Sequence, residues 1–172
     1  MSKKTKDGSE PVEAIFKEFS RYHAHPANKV IHYFTIPLIT MAVLGMIWAI
    51  PFPHLAFLKS YNGFVNWASF VIAFTIYYYI RQSPLISYVI LLMVFAFSAV
   101  IVGLEKLHNQ AGWPPMWQVC LAVFVVCFLL QRYGHSKESS VPSMRASLSS
   151  FLNGPLWLFY SVFRSKRSGH HN

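Results

Sequence analysis

Four long apolar runs separated by short polar breaks set the pattern of this chain. The first covers roughly 27–50 and stops at Pro51 and Pro53. The second, roughly 64–80, closes on Tyr77-Tyr78-Tyr79 and Arg81, and Pro84 opens the third, roughly 85–104. Trp113-Pro114-Pro115 precedes the fourth, roughly 116–133, which delivers Gly134 and His135. Runs of this length read as helices that cross the hydrocarbon layer of a membrane, about 30 Å thick. A kink is expected at Pro37 in the first.

Outside the four runs the period changes. From Val12 to His23, apolar Val12, Ile15, Phe16, Phe19 and Tyr22 recur at three- and four-residue steps, while Glu13, Lys17, Glu18 and Arg21 take the other side. This is the pattern of an amphipathic helix lying on a membrane surface. Pro26 suits the first turn of a new helix and disfavours helical geometry at His25, so the chain bends there. Near the far end, 148–163 is apolar but interrupted by Asn153-Gly154-Pro155. Each half is too short to cross alone, which predicts an interfacial or re-entrant segment. The pattern therefore predicts an all-α integral membrane bundle of four transmembrane helices with an N-terminal amphipathic helix and a C-terminal interfacial or re-entrant segment. Residues 1–11 read as a disordered tail, 12–163 as a single membrane domain and 164–172 as a basic tail.

Composition agrees: of 172 residues, 54% are hydrophobic and only 12% charged, which excludes an ordinary soluble domain. The first eleven residues are polar, so no removable signal peptide is expected. A net charge of +9 does not point to nucleic acid, because the basic residues lie at segment ends and suit anionic lipid headgroups. Four spans put both termini on one side, together with Lys17, Arg21, Lys29, Arg81, Arg132 and Lys137, and leave Lys59 and Lys106 on the other. That bias predicts cytoplasmic termini, in a bacterial inner membrane or the endoplasmic reticulum. Cys120 and Cys127, about ten ångströms apart along one helix, read as buried free thiols.

The same topology sorts the histidines. His23, His25, His32 and His135 come to one leaflet, His54 and His108 fall in loops on the other, and His170 and His171 belong to the tail. An ionisable side chain at the membrane boundary is a candidate functional site. Asn28 and His32, four apart, share a helix face, where the amide can orient the imidazole or sit beside it. Neutral imidazoles suit iron, zinc, copper or nickel better than magnesium or calcium. Glu138, three positions after His135, is the nearest carboxylate, and Glu18 is a reserve. His25 can serve as a helix cap, and the tyrosine run reads as an interface belt. No Gly-x-Ser-x-Gly elbow, phosphate-binding glycine loop or Cys-x-x-Cys pair is present. The multiple histidine clusters of membrane di-iron enzymes are also absent, which limits the site to one metal ion.

Tyr22-His23, Pro26, Asn28, Ile31-His32 and Pro37, followed by Gln131, Gly134-His135, Pro142 and Gly154-Pro155, resemble in order and spacing the small membrane 2-hydroxy fatty acid dioxygenases of phytosphingosine degradation. The resemblance implies an iron(II)-dependent enzyme that shortens a 2-hydroxy fatty acid by one carbon with molecular oxygen and without 2-oxoglutarate. It carries the family's histidines onto His23, His32 and His135, but not onto His25. The family usually has an acid four positions after the Gly-His pair; here Glu138 comes three positions on. The expected site is thus His23, His32 and His135 as ligands, Asn28 as orienter, and Glu138 or water completing the set. The rivals are a non-enzymatic lipid-binding or assembly factor and a zinc-dependent membrane lipid hydrolase.

Overall fold

The computed structural model describes residues 9–57, 59, 65–139 and 152–161. Among them are six helices and no strand: α1 (Ser9–Arg21), α2 (Pro26–Trp48), α3 (Trp67–Gln82), α4 (Pro84–Ala111), α5 (Met116–His135) and α6 (residues 152–161). The two tails as far as residue 8 and from 162, Pro142, His170 and His171 lie outside the described residues.

Local chemistry sets most of the boundaries. Pro26 occupies the first turn of α2, where its missing N–H costs nothing, and the His25 side chain caps that turn by accepting from the Ala27 N–H at 3.2 Å. His25 is therefore a cap, one of the roles the sequence allows it. Asn66 and Ser69 form a reciprocal capping box at the start of α3. Ser83 alone separates α3 from Pro84, so α3 and α4 form a tight hairpin. Gly112, at φ 66°, ends α4 in the left-handed conformation that a side chain would resist.

Three boundaries differ from the sequence expectation. The amphipathic helix begins at Ser9, ahead of Val12. Helix α4 continues through Glu105-Lys106-Leu107-His108 to Ala111, so His108 lies in its last turn and not in a loop, with Nδ1 paired to Trp113 O at 2.6 Å. Hydropathy marks where lipid ends, whereas a helix stops only at Gly112. The predicted break at Asn153-Gly154-Pro155 is instead helical, part of α6.

Helices α2, α4 and α5, of 23, 28 and 20 residues, are long and apolar enough to cross a membrane. At 16 residues α3 spans only about 24 Å. Phe34, Phe74, Leu92 and Phe95 point outward, as lipid-facing side chains do. Inside, Ala42, Leu44, Ile90, Ile101, Cys120 and Leu156 form the main core. Helix α2 packs most extensively against α5. Their backbones meet closely at Gly45, where a Cβ would lie 2.4 Å from Cys120 Sγ. Both cysteines are buried and free.

A second, smaller core of Phe19, Ile36 and Trp157 joins α1 and α6 to the first turns of α2. Tyr78 and Tyr79 hold the start of α6 from α3: Tyr78 OH donates to Asn153 Oδ1 at 2.9 Å, and Tyr79 OH to Leu152 O. Tyr77 is exposed as an interface residue should be, but Tyr79 is core. The consequence is a cover of α1 and α6 over one end of the α2–α5 pair.

Candidate metal centre

Three histidines from different parts of the chain meet under that cover. His23 lies in the turn after α1, His32 in the second turn of α2, and His135 is the last residue of α5. Their potential ligand atoms all lie within 4.8 Å of one another. Ring centroids are 4.2 Å apart for His23 and His32, 5.0 Å for His23 and His135, and 4.8 Å for His32 and His135. His23 and His32 are 2% and 3% exposed.

Helical geometry aims two of the rings. His23 Nδ1 lies 2.8 Å from Phe19 O and His32 Nδ1 lies 2.9 Å from Asn28 O, each four residues back. A carbonyl only accepts, so both Nδ1 atoms carry the proton and both Nε2 atoms present a lone pair. A hydrogen bond of this kind from the far ring nitrogen to a carbonyl fixes the tautomer of a ligating histidine. His23 Nε2 and His135 Nδ1 are buried without a hydrogen-bond partner among the described residues. Buried polar atoms are seldom left so, and two in one imidazole cluster fit a metal ion between the rings. Burial, partly opposed by the hydrogen bond to Phe19, pushes the His23 pKa down to about 4, which keeps its ring neutral and able to ligate near pH 7.

Asn28, fully buried, works differently from the orienter the spacing suggests. It is its backbone carbonyl that fixes His32, while the amide Nδ2 donates to Glu138 Oε1 at 2.8 Å and to Tyr22 O at 3.3 Å. Glu138 is not one of the clustered donors, and its Oε1 also accepts from the His25 N–H at 2.9 Å. Burial favours the protonated Glu138 carboxyl, but hydrogen bonds from Asn28, His25 and Ala24 outweigh it and hold the pKa below the ordinary value. Glu18 is exposed on α1 and outside the cluster, and His54 is exposed in the loop after α2.

A family model described as "2-hydroxy-palmitic acid dioxygenase Mpo1-like" matches residues 9–166, taking in every helix and all three histidines. The chain belongs to this Mpo1-like family. No curated protein and no solved structure gives a match. In this Mpo1-like chain the cover supplies residues that the sequence does not single out. Phe19 stacks on the His23 ring at 4.1 Å, and Trp157 lies 5.6 Å from that ring with its Nε1–H donating to Ser20 Oγ at 3.0 Å. One turn deeper, Gln131 Nε2 donates to Thr35 Oγ1 at 3.0 Å and joins α5 to α2 below the histidines. Gln131 belongs to the motif that carries the resemblance, but Thr35 could be found only by its position three residues after His32.

Proposed function

We propose that this chain is an iron(II)-dependent membrane dioxygenase that shortens a 2-hydroxy fatty acid by one carbon. The observation that carries this reading is the cluster of three imidazoles with ligand atoms within 4.8 Å of one another, two of them with a buried, unpaired nitrogen, in a chain whose family is named for a 2-hydroxy acid dioxygenase. His23, His32 and His135 would hold the ion. Iron(II) there would supply the one-electron chemistry that dioxygen needs to react with a closed-shell acid. The stoichiometry requires no further reductant: a 2-hydroxy acid plus one dioxygen contains the atoms of the acid one carbon shorter, carbon dioxide and water.

The remaining roles fall to the protein. Three neutral imidazoles bring no negative charge, so the site is suited to an anionic substrate group such as a carboxylate. Lys29 and Arg132, near the same end of α2 and α5, would attract that carboxylate while the acyl chain lies among the apolar helices. Phe19 and Trp157 cover the His23 side and exclude water.

The site also supports four crossings with both termini on one side of the membrane. Because the start of α2 and the end of α5 meet at the histidines, α2 and α5 run antiparallel. Helix α4 must then begin on the histidine side although α2 ends on the other, so the chain between them crosses back. Helix α3 is the one long helix described there, and its shortness is met by local thinning of the bilayer or by its polar flanks.

The test is product analysis of detergent-purified protein, loaded anaerobically with iron(II), given 2-hydroxypalmitic acid and exposed to oxygen. The expected product is the acid one carbon shorter, absent when iron or oxygen is withheld and lost in His32→Ala. Turnover of a lipid ester without oxygen would favour a zinc hydrolase instead.

A further inference from the structure

We infer that Glu138 is a clasp that positions the histidines and not one of the metal's ligands. The inference rests on reading the three histidines as a metal site. Its basis is the set of bonds around one carboxylate oxygen. Glu138 Oε1 accepts from Asn28 Nδ2 at 2.8 Å and from the His25 N–H at 2.9 Å, and the Ala24 N–H also hydrogen-bonds the carboxylate. These donors flank His23 on one side and His32 on the other along the chain. Glu138 itself follows three residues after His135. One carboxylate therefore ties the turn that carries His23, and the first turn of α2, to the end of the helix that carries His135.

Asn28 is held from two further directions. Its Nδ2 also donates to Tyr22 O at 3.3 Å, and its Oδ1 fills the space beside Gly134, where a Cβ would come within 2.4 Å. Fully buried and with both amide hydrogens committed, Asn28 has its side chain fixed by its neighbours. The fixed backbone of Asn28 is what receives His32 Nδ1. Glu138 thus acts on His32 through Asn28 and on His23 through the turn. Glu138 Oε1 has its lone pairs engaged by these donors, and no Glu138 oxygen belongs to the group of ligand atoms that gather within 4.8 Å of one another. A group that holds a metal's ligands in direction without touching the ion typically changes metal affinity by about 10–100-fold when lost.

The experiment uses cobalt(II) as the probe metal, because its visible ligand-field absorption reports the ligand set. In the full-length protein, E138A should bind cobalt(II) about tenfold more weakly than the native chain but with the same absorption bands. E138Q, whose amide oxygen can still accept from Asn28 and His25, should recover much of the affinity. In metal-free protein, amide exchange at Ala24 and His25 should be slow in the native chain and faster in E138A. Altered cobalt bands in E138A would make Glu138 a ligand and overturn the clasp, as would unchanged affinity or unchanged exchange. A native chain that binds no cobalt(II) overturns the metal reading and the clasp's role together. Failure of the clasp alone looks different, with native and E138A chains binding cobalt(II) equally well.

Discussion

The His23 ring, stacked on Phe19 and next to Trp157, is held neutral by burial down to about pH 4, whereas an ordinary histidine protonates near 6.5. Between those values the unfolded chain binds a proton that the folded chain does not. Folding stability is therefore highest above 6.5, declines as pH falls through that window, and stops declining on this account below about 4. Denaturation of metal-free protein in detergent should show this slope, and His23→Gln should flatten it; an equal slope in both would contradict the assignment. Trp157 makes a separable contribution. Trp157→Ala should cost about 3–5 kcal/mol of stability, and Trp157→Phe about 1 kcal/mol through loss of the bond to Ser20, both read from unfolding midpoints. The histidines were legible in the sequence because topology alone brings them to one leaflet. Trp157 was not, since a tryptophan near a membrane boundary looks the same whether it faces lipid or a site. Glu138 drew attention for its chemical type and its spacing from His135, and neither tells which way its carboxylate points.

Helices α2 and α5 carry two of the three clustered histidines, so their register decides whether the cluster forms. Gly45 and Cys120 set the close approach at one level, and Thr35 and Gln131 set it nearer the histidines. Gly45→Ala puts a methyl group into Cys120 Sγ, an overpacking cost of about 1–3 kcal/mol against a helix-propensity gain of about 1 kcal/mol. The variant should unfold at lower temperature, and adding Cys120→Ala should restore most of the loss; no rescue would mean that the two residues are not the contact that matters. At this scale hydropathy located α2, α4 and α5, because apolar length is what it reports. It misplaced the end of α4, which lies beyond the apolar run, and took Asn153-Gly154-Pro155 as a break although those residues are helical within α6.

Taken whole, the described residues form a helical bundle whose two ends differ in charge and chemistry: His23, His32 and His135 share one end with Arg21, Lys29, Arg132 and Lys137, and Lys59 and Lys106 stand apart from them. With four crossings, in sealed vesicles cysteines replacing Lys59 and Lys106 should react with a membrane-impermeant reagent on one face of the membrane, and cysteines replacing Arg81 and Lys137 on the opposite face. Without a crossing by α3, Arg81 would join Lys59 and Lys106 would change sides. The central claim, that three histidines from separate elements hold one metal ion, is tested most directly by equilibrium iron(II) binding. The account predicts one high-affinity ion per native chain, its loss in each of His23→Ala, His32→Ala and His135→Ala, and its retention in His25→Ala. Retention of the ion in all three of the first variants, or its equal loss in His25→Ala, would contradict it.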